Sequence, residues 1–207
     1  MYLLYGRKIY RMDNEKLLNF IKDELSNNGR NNRYHFRDRY KHTLRVLKWA
    51  KRLHKIEGGN LEIIRIAILF HDIGWDENLG HNIVSKNIAK NYLEKTNYDP
   101  VNIEKILEAI EYHCLRESDK QLNIESYIVM DADILDEVGA VSIIWDAMAT
   151  MCEDAPSYLK AYERIKKYSS KIKQNKKLLR TETGKKYYNN RVKFIYEFIE
   201  ELEFELF

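Results

Sequence analysis

Apolar residues recur along the chain at helical rather than strand spacing. Leu44, Leu47, Ala50 and Leu53 lie on one face of a predicted helix over residues 37–56. Phe194, Phe198 and Leu202 are spaced by four and, with Ile195, Ile199 and Leu206, form an amphipathic stripe in a helix from residue 185 onward. The same spacing predicts helices over 14–25, 61–73, 81–93, 100–113 and 157–168. Asn60 suits the N-cap of the helix at 61, and Asp99 followed by Pro100 suits the start at 100. "NNGRNNR" and "EGGN" interrupt the pattern as loops. The stretch 125–151, "ESYIVMDADILDEVGAVSIIWDAMATM", reads as one or two buried helices with a kink or turn near Gly139. No segment sustains a period of two. The prediction is an all-α fold: one domain over residues 1–207, a helical bundle with the helices beyond about 157 packed on its core.

Polar residues break this pattern at particular places. The apolar run 63–70 ends in His71 and Asp72, with Gly74 marking the helix end. A carboxylate there faces the negative end of the helix dipole, which costs a few tenths of a kcal/mol to about 1 kcal/mol. On that ground, removing Asp72 is expected to leave stability unchanged or raised. Asp also rarely enters a core without a partner. A bound cation answers both objections, and nitrogen with carboxylate oxygen suits a borderline or hard divalent metal. Taken alone, the doublet is better explained by a satisfied core histidine and an aspartate capping a nearby loop. It is not alone. His42 sits at the polar-to-apolar boundary of the preceding helix, His113 closes a periodic run and His81 opens a helix. Asp131 and Asp133 interrupt an otherwise apolar segment. Four of the six histidines thus fall at helix ends or on apolar helices, and their joint occurrence points to a metal site.

Composition narrows the setting. The chain of 207 residues is 44% apolar and 32% charged, a globular balance, and only 2 Pro and 8 Gly favour helices over hairpins. No apolar run is long enough for a bilayer, and the N-terminus lacks the features of a secretory signal. Cys114 and Cys152 are too few for a disulfide framework, so the expected setting is the reduced cytoplasm, with no membrane partner. Net charge is +3, but residues 160–193 carry 13 Lys/Arg against Glu163 and Glu182. That block reads first as a solvated helical face and second as a cationic rim that attracts phosphate-bearing substrates. Tyr168, Tyr187 and Tyr188 among its lysines admit a nucleic-acid surface as a lesser reading.

With these residues in place, the chain resembles the HD-domain superfamily of metal-dependent phosphohydrolases. "HTLRVLKWAKRL" resembles the first-histidine helix and "IRIAILFHDIGW" the doublet helix. "DADILDEVGAVSI" resembles the distant-aspartate segment of a small bacterial and archaeal nucleotide-hydrolysing branch. The tail "NKKLLRTETGKKYYNNRVKFIYEFIEELEFE" is similar to that branch as well. The resemblance implies a metal held by His42, His71, Asp72 and Asp133, with Asp131 supporting or structural. His81 and His113 fall where members with two metals carry extra histidines. Two departures stand out: Ile134 replaces the usual basic residue after Asp133, and no Glu follows Asp72 at the third position, as it does in some nucleotidases.

The activity implied is a phosphohydrolase that uses one or two divalent ions (Mn, Fe, Co, Mg or Zn) on a small phosphorylated substrate, foremost a nucleotide. Asp72 is the expected ligand and general base, with His81 or His113 as base or second-metal ligand. Arg45, one turn after His42, is either a phosphate clamp or one half of a surface salt bridge. A two-metal phosphodiesterase or pyrophosphohydrolase is the alternative enzyme, and a metal-stabilised nucleotide-binding module without turnover is the alternative from another class. Self-association into a homo-oligomer is compatible with the sequence.

Overall fold

The computed structural model describes residues 14–27, 34–76 and 78–207, and within 158–175 the side chains of residues 170, 171, 173 and 174 lie outside that description. The N-terminal segment 1–13 and most of the "NNGRNNR" loop fall outside the described residues, as do the side chains of Lys171 and Lys173 in the basic block.

Every regular element among the described residues is helical. In chain order they are α1 (Asn14–Asn27), α2 (Arg39–Glu57), α3 (Leu61–Phe70), α4 (His81–Lys95), α5 (Pro100–Tyr112), α6 (Ile124–Asp136), α7 (Ala140–Thr150), α8 (Tyr158–Asn175) and α9 (Glu182–Leu206). Side-chain caps fix most starts. Asp38 accepts from the Lys41 amide, Asn60 from Glu62 and Ile63, Asp99 from Val101, and Thr181 from Gly184. The predicted break at Gly139 is real: its φ of 105° lies in the left-handed half of the map, where only glycine sits without strain, and α6 and α7 are separate helices.

α3 is the centre of the bundle. Ile63, Ile64 and the run from Ile66 to Phe70 are all buried, and the helix packs against α2, α5 and α6. Each of the Ile, Leu and Phe side chains among them contributes about 1.5–3 kcal/mol on burial, so the C-terminal half of α3 is firmly anchored. Its C-terminus, where His71 and Asp72 follow, is therefore a fixed point inside the protein. α2 and α6 flank it, and their polar residues at the same level face the same place.

α9 is tied to α6 by Asp131. This buried carboxylate accepts from the Arg180 amide at 2.8 Å, the Thr181 amide at 2.8 Å and the Thr181 hydroxyl at 2.7 Å. Burial pushes its pKa up to about 6, against the pull of those three bonds. Asp131 thus serves the start of the C-terminal helix. The tyrosines of the basic block are largely committed too: Tyr187 packs on Trp49, and Tyr188 is buried with its hydroxyl donating to the Ile172 carbonyl. Neither is presented for stacking on a nucleic acid. No helix among the described residues is long and apolar enough to cross a membrane.

α3 ends at Phe70, earlier than the predicted 73, and Gly74 is not a left-handed cap. Its role is close approach. A Cβ on Gly74 would lie 2.3 Å from the Ser85 amide nitrogen and 2.7 Å from the His81 carbonyl oxygen, while the Gly74 amide donates to the Ser85 hydroxyl at 2.8 Å. The doublet loop is thereby pressed onto the first turns of α4, beside His81. Gly74→Ala meets backbone rather than a side chain that can swing away. It is expected to cost about 1–3 kcal/mol in chemical denaturation, and to lower activity further by displacing His81. Unchanged stability would show that this contact does not fix α4.

Candidate metal centre

Four side chains from three places in the sequence meet at the end of α3. His42 projects from the first turn of α2, His71 and Asp72 follow α3, and Asp133 lies on α6. His42 Nε2 is 3.4 Å from Asp133 Oδ1 and 3.8 Å from Asp72 Oδ2. His71 Nε2 is 3.8 Å from Asp133 Oδ1 and 4.0 Å from Asp72 Oδ2. Donor atoms about 2.0–2.2 Å from one ion stand roughly 3–3.6 Å from each other, so these four separations are only slightly longer than those in an occupied site. Ligand atoms of His42, His71 and Asp72 all lie within 4.8 Å of one another, and Asp133 adjoins that group through the two histidines.

The far nitrogen of each imidazole is fixed by the protein. His71 Nδ1 donates to the Ile68 carbonyl at 2.6 Å, which leaves Nε2 as a bare lone pair. That Nε2 is fully buried and has no hydrogen-bond partner. His42 Nδ1 meets Asp136 Oδ2 at 2.7 Å, and Arg45 grips the same carboxylate through Nε and Nη2, both at 2.9 Å. An imidazole held at one nitrogen by carboxylate or carbonyl, with the other turned inward, is the arrangement that orients a metal ligand. Arg45, the candidate phosphate clamp, is thus bound to Asp136 while still lining the cleft.

The carboxylates are held as well. Arg39, one turn before His42, contacts Asp72 Oδ2, and both side chains are almost fully buried. Arg116, from the loop after α5, donates to Asp133 Oδ2 at 3.0 Å and to Glu137 at 3.0 Å. A guanidinium therefore reaches Asp133 even though Ile134 occupies the usual basic position. The Arg39 pair corrects the expectation that Asp72 can be removed at no cost. Its loss takes the carboxylate from a buried arginine, which outweighs the helix-dipole gain.

A second group adjoins the first. His113 Nδ1 donates to the Ile110 carbonyl at 2.6 Å, so its Nε2 is an acceptor. His81 Nε2 stands 3.1 Å from it and must carry the proton between them. His81 Nε2 is also 3.6 Å from Asp72 Oδ1. Cys114 completes this group, with ligand atoms of His81, His113 and Cys114 within 4.8 Å of one another. Asp72 stands between the groups, one oxygen toward each.

Electrostatics separate the histidines. Burial alone would lower the His42 pKa, but hydrogen bonds to Asp133 and Asp136 and the charges of Asp133 and Asp72 raise it to about 9. Burial pushes His71 down, only partly offset by Asp72 and Asp133. Burial and the neighbouring His71 push His113 down to about 4. Asp133 is held below the usual carboxylate range because His42, His71 and Arg116 outweigh the effect of burial. A raised histidine stabilises the fold fully below its unfolded value of about 6.5 and loses that contribution as pH rises through the folded value. Chelator-treated protein is therefore expected to lose stability between about pH 6.5 and 9 as His42 gives up its proton. Metal uptake across the same interval should tighten and release that proton. Urea melts and proton-release measurements at several pH values check both, and a flat profile would contradict the His42 assignment.

Residues 39–137 match the HD-domain family. The chain carries an HD domain. The match begins at Arg39 and ends at Glu137, so it contains every residue of both polar groups. No curated protein matches the chain in sequence. Solved structures share the fold over nearly its whole length. An HD-superfamily hydrolase from Bacillus thuringiensis is 24% identical, with a TM-score of 0.71, covering 92% of this chain and 95% of its own. A protein from Listeria innocua is 27% identical, with a TM-score of 0.65, covering 94% and 98%. Bacillus subtilis YpgQ, solved in complex with ADP, is 23% identical with a TM-score of 0.66, covering 93% and 94%. The chain thus has the fold of HD-superfamily hydrolases, with the histidine and aspartate groups of its HD domain arranged as a metal could use them.

Arg39, Asp136 and Arg116 were absent from the sequence-derived site. Two of them carried a signal: Arg39 is three residues before His42 and Asp136 three after Asp133, one helical turn each. Arg116 lies in an irregular loop and carries no periodic mark.

Proposed function

We propose that the chain is a divalent-metal-dependent phosphohydrolase acting on nucleotides or related small phosphoesters, with the ion held by His42, His71, Asp72 and Asp133. One observation carries the proposal. The His71 Nε2 lone pair is buried, has no hydrogen-bond partner and faces two carboxylates and an imidazole. An unsatisfied buried acceptor costs about 1–3 kcal/mol, and a cation removes that cost while neutralising Asp72 and Asp133. The nitrogen and oxygen donor set suits Mn²⁺, Fe²⁺, Co²⁺, Zn²⁺ or, less well, Mg²⁺.

When bound, such an ion supplies Lewis acidity toward water and toward a phosphoryl oxygen. The protein's own part is positioning and proton handling. Asp136 and the Ile68 carbonyl set the faces of His42 and His71. Arg39 and Arg116 fix the two carboxylates. Asp72 Oδ1 stands beside the His81–His113 pair at the cleft wall, where the carboxylate can accept a proton from an attacking water and His81 Nε2–H can donate one to a leaving oxygen. The complex of YpgQ with ADP supports nucleotides as the substrate class. A two-metal phosphodiesterase or pyrophosphohydrolase is the second reading. It is favoured by Asp72, whose Oδ2 faces His42 and His71 while its Oδ1 faces His81.

Metal analysis of the purified protein, followed by nucleoside mono-, di- and triphosphates and cyclic nucleotides with each divalent ion, tests the proposal. Hydrolysis above an Asp72→Ala background supports it. No hydrolysis with any ion would leave the metal-stabilised nucleotide-binding module in its place.

A further inference from the structure

The cleft that contains the candidate metal centre is about 860 Å³, within the roughly 300–1,000 Å³ of small-molecule sites, and another part of its lining has a different chemistry. There α7 contributes Val141, Ile144, Trp145 and Met148. These positions recur at helical spacing on one face, and Val141, Ile144 and Met148 are 37, 59 and 43% exposed. Tyr34 and Phe36, from the segment before α2, meet Trp145 edge-on, with ring centroids at 5.1 and 5.8 Å and interplanar angles of 68°. Arg164 of α8 lies over the Trp145 ring at 5.6 Å. Its Nε donates to Asp146 at 3.0 Å and its Nη1 to Glu153 at 2.6 Å, so its charge is matched. It serves to hold the indole rather than a phosphate. One cavity therefore has both the side chains of the candidate metal centre and an aromatic cluster in its lining.

Building on the phosphohydrolase reading, we propose that Tyr34, Phe36 and Trp145 form a stacking subsite for the heteroaromatic base of a nucleotide whose phosphates lie at the metal centre. The two parts of the lining match the two halves of such a ligand, anionic and planar-apolar. Stacking accepts the face of any base, so selectivity among bases is small, while selectivity for base-bearing over base-free phosphates is large. Trp145 is then a specificity-determining residue and takes no part in bond cleavage.

The test compares wild type, Trp145→Ala and Trp145→Phe, each supplied with Mn²⁺, in equilibrium binding and turnover. The ligands are ADP, GDP and, as the base-free control, inorganic pyrophosphate and triphosphate. Trp145→Ala should raise the Kd and KM for ADP and GDP about 5- to 100-fold, leave kcat nearly unchanged and leave the inorganic ligands unaffected. Trp145→Phe should recover most of the loss and keeps the test valid if the alanine variant folds poorly. An equal loss for base-bearing and base-free ligands would show that the rings merely pack the 34–38 segment against α7, and would overturn the proposal. So would unchanged ADP binding in both variants. The two readings separate cleanly. Wild type that binds ADP through Trp145 without hydrolysing it keeps the subsite and ends the phosphohydrolase reading. Wild type that hydrolyses inorganic and nucleotide substrates alike does the reverse.

Discussion

Asp72→Ala is expected to abolish phosphoester hydrolysis, with a fall of several orders of magnitude in kcat/KM. The substitution removes the oxygen that faces His42 and His71, the proposed ligand, and at the same time the oxygen that faces His81. Stability should fall too. Arg39 is buried against this carboxylate, and stripping one partner from a buried ion pair costs about 3–5 kcal/mol. A lower melting temperature in Asp72→Ala therefore does not by itself distinguish a catalytic from a structural role, and metal content does. Asp72→Asn retains the volume and one oxygen for Arg39. It should recover part of the stability and little of the activity. Full activity in Asp72→Asn, with metal still bound, would remove Asp72 from the chemistry.

His71→Leu is expected to have the opposite balance. The variant should bind little metal and lose activity to a similar degree, yet the chelated protein should be as stable as chelated wild type to within about 1 kcal/mol. The reason is the state of the side chain. His71 contributes one bond, from Nδ1 to the Ile68 carbonyl, and carries one buried lone pair that nothing in the protein satisfies. Leucine gives up the bond and removes the unsatisfied atom together. Calorimetry with and without chelator, on both proteins, measures it. Metal should raise the melting temperature of wild type and leave that of His71→Leu unmoved. A large loss of stability in the chelated variant would mean that His71 is a packing residue first.

Much of this arrangement was legible in the sequence because it depends on helices, and helices write their faces as a repeat. The caps at Asn60 and Asp99, the division at Gly139 and the isolation of His71–Asp72 behind an apolar run all follow from local chemistry. The choice of Asp133 over Asp131 came from resemblance, and the structure turns Asp131 to the start of α9 and Asp133 to the histidines. What the sequence could not show is long-range pairing. Nothing local links Arg39 to Asp72, 33 residues on, or Asp136 to His42, 94 residues back. Gly74 was legible as a special position but not for its reason, because a close approach to α4 depends on packing and not on the α3 cap that the motif suggested. The basic block behaved likewise: its charge was countable, while the burial of Tyr188 depends on α8 and α9 meeting.

The most direct measurement is a crystal structure of protein soaked in Mn²⁺, with anomalous difference maps. A peak should appear among His42 Nε2, His71 Nε2, Asp72 Oδ2 and Asp133 Oδ1, about 2.0–2.3 Å from each. Arg39 should then shift its hold on Asp72 to make room. A binuclear centre would add a second peak roughly 3.5–4 Å away beside His81 and His113. No peak in the nest at saturating Mn²⁺, or a peak only elsewhere on the molecule, would contradict the assignment of these four residues as a metal site.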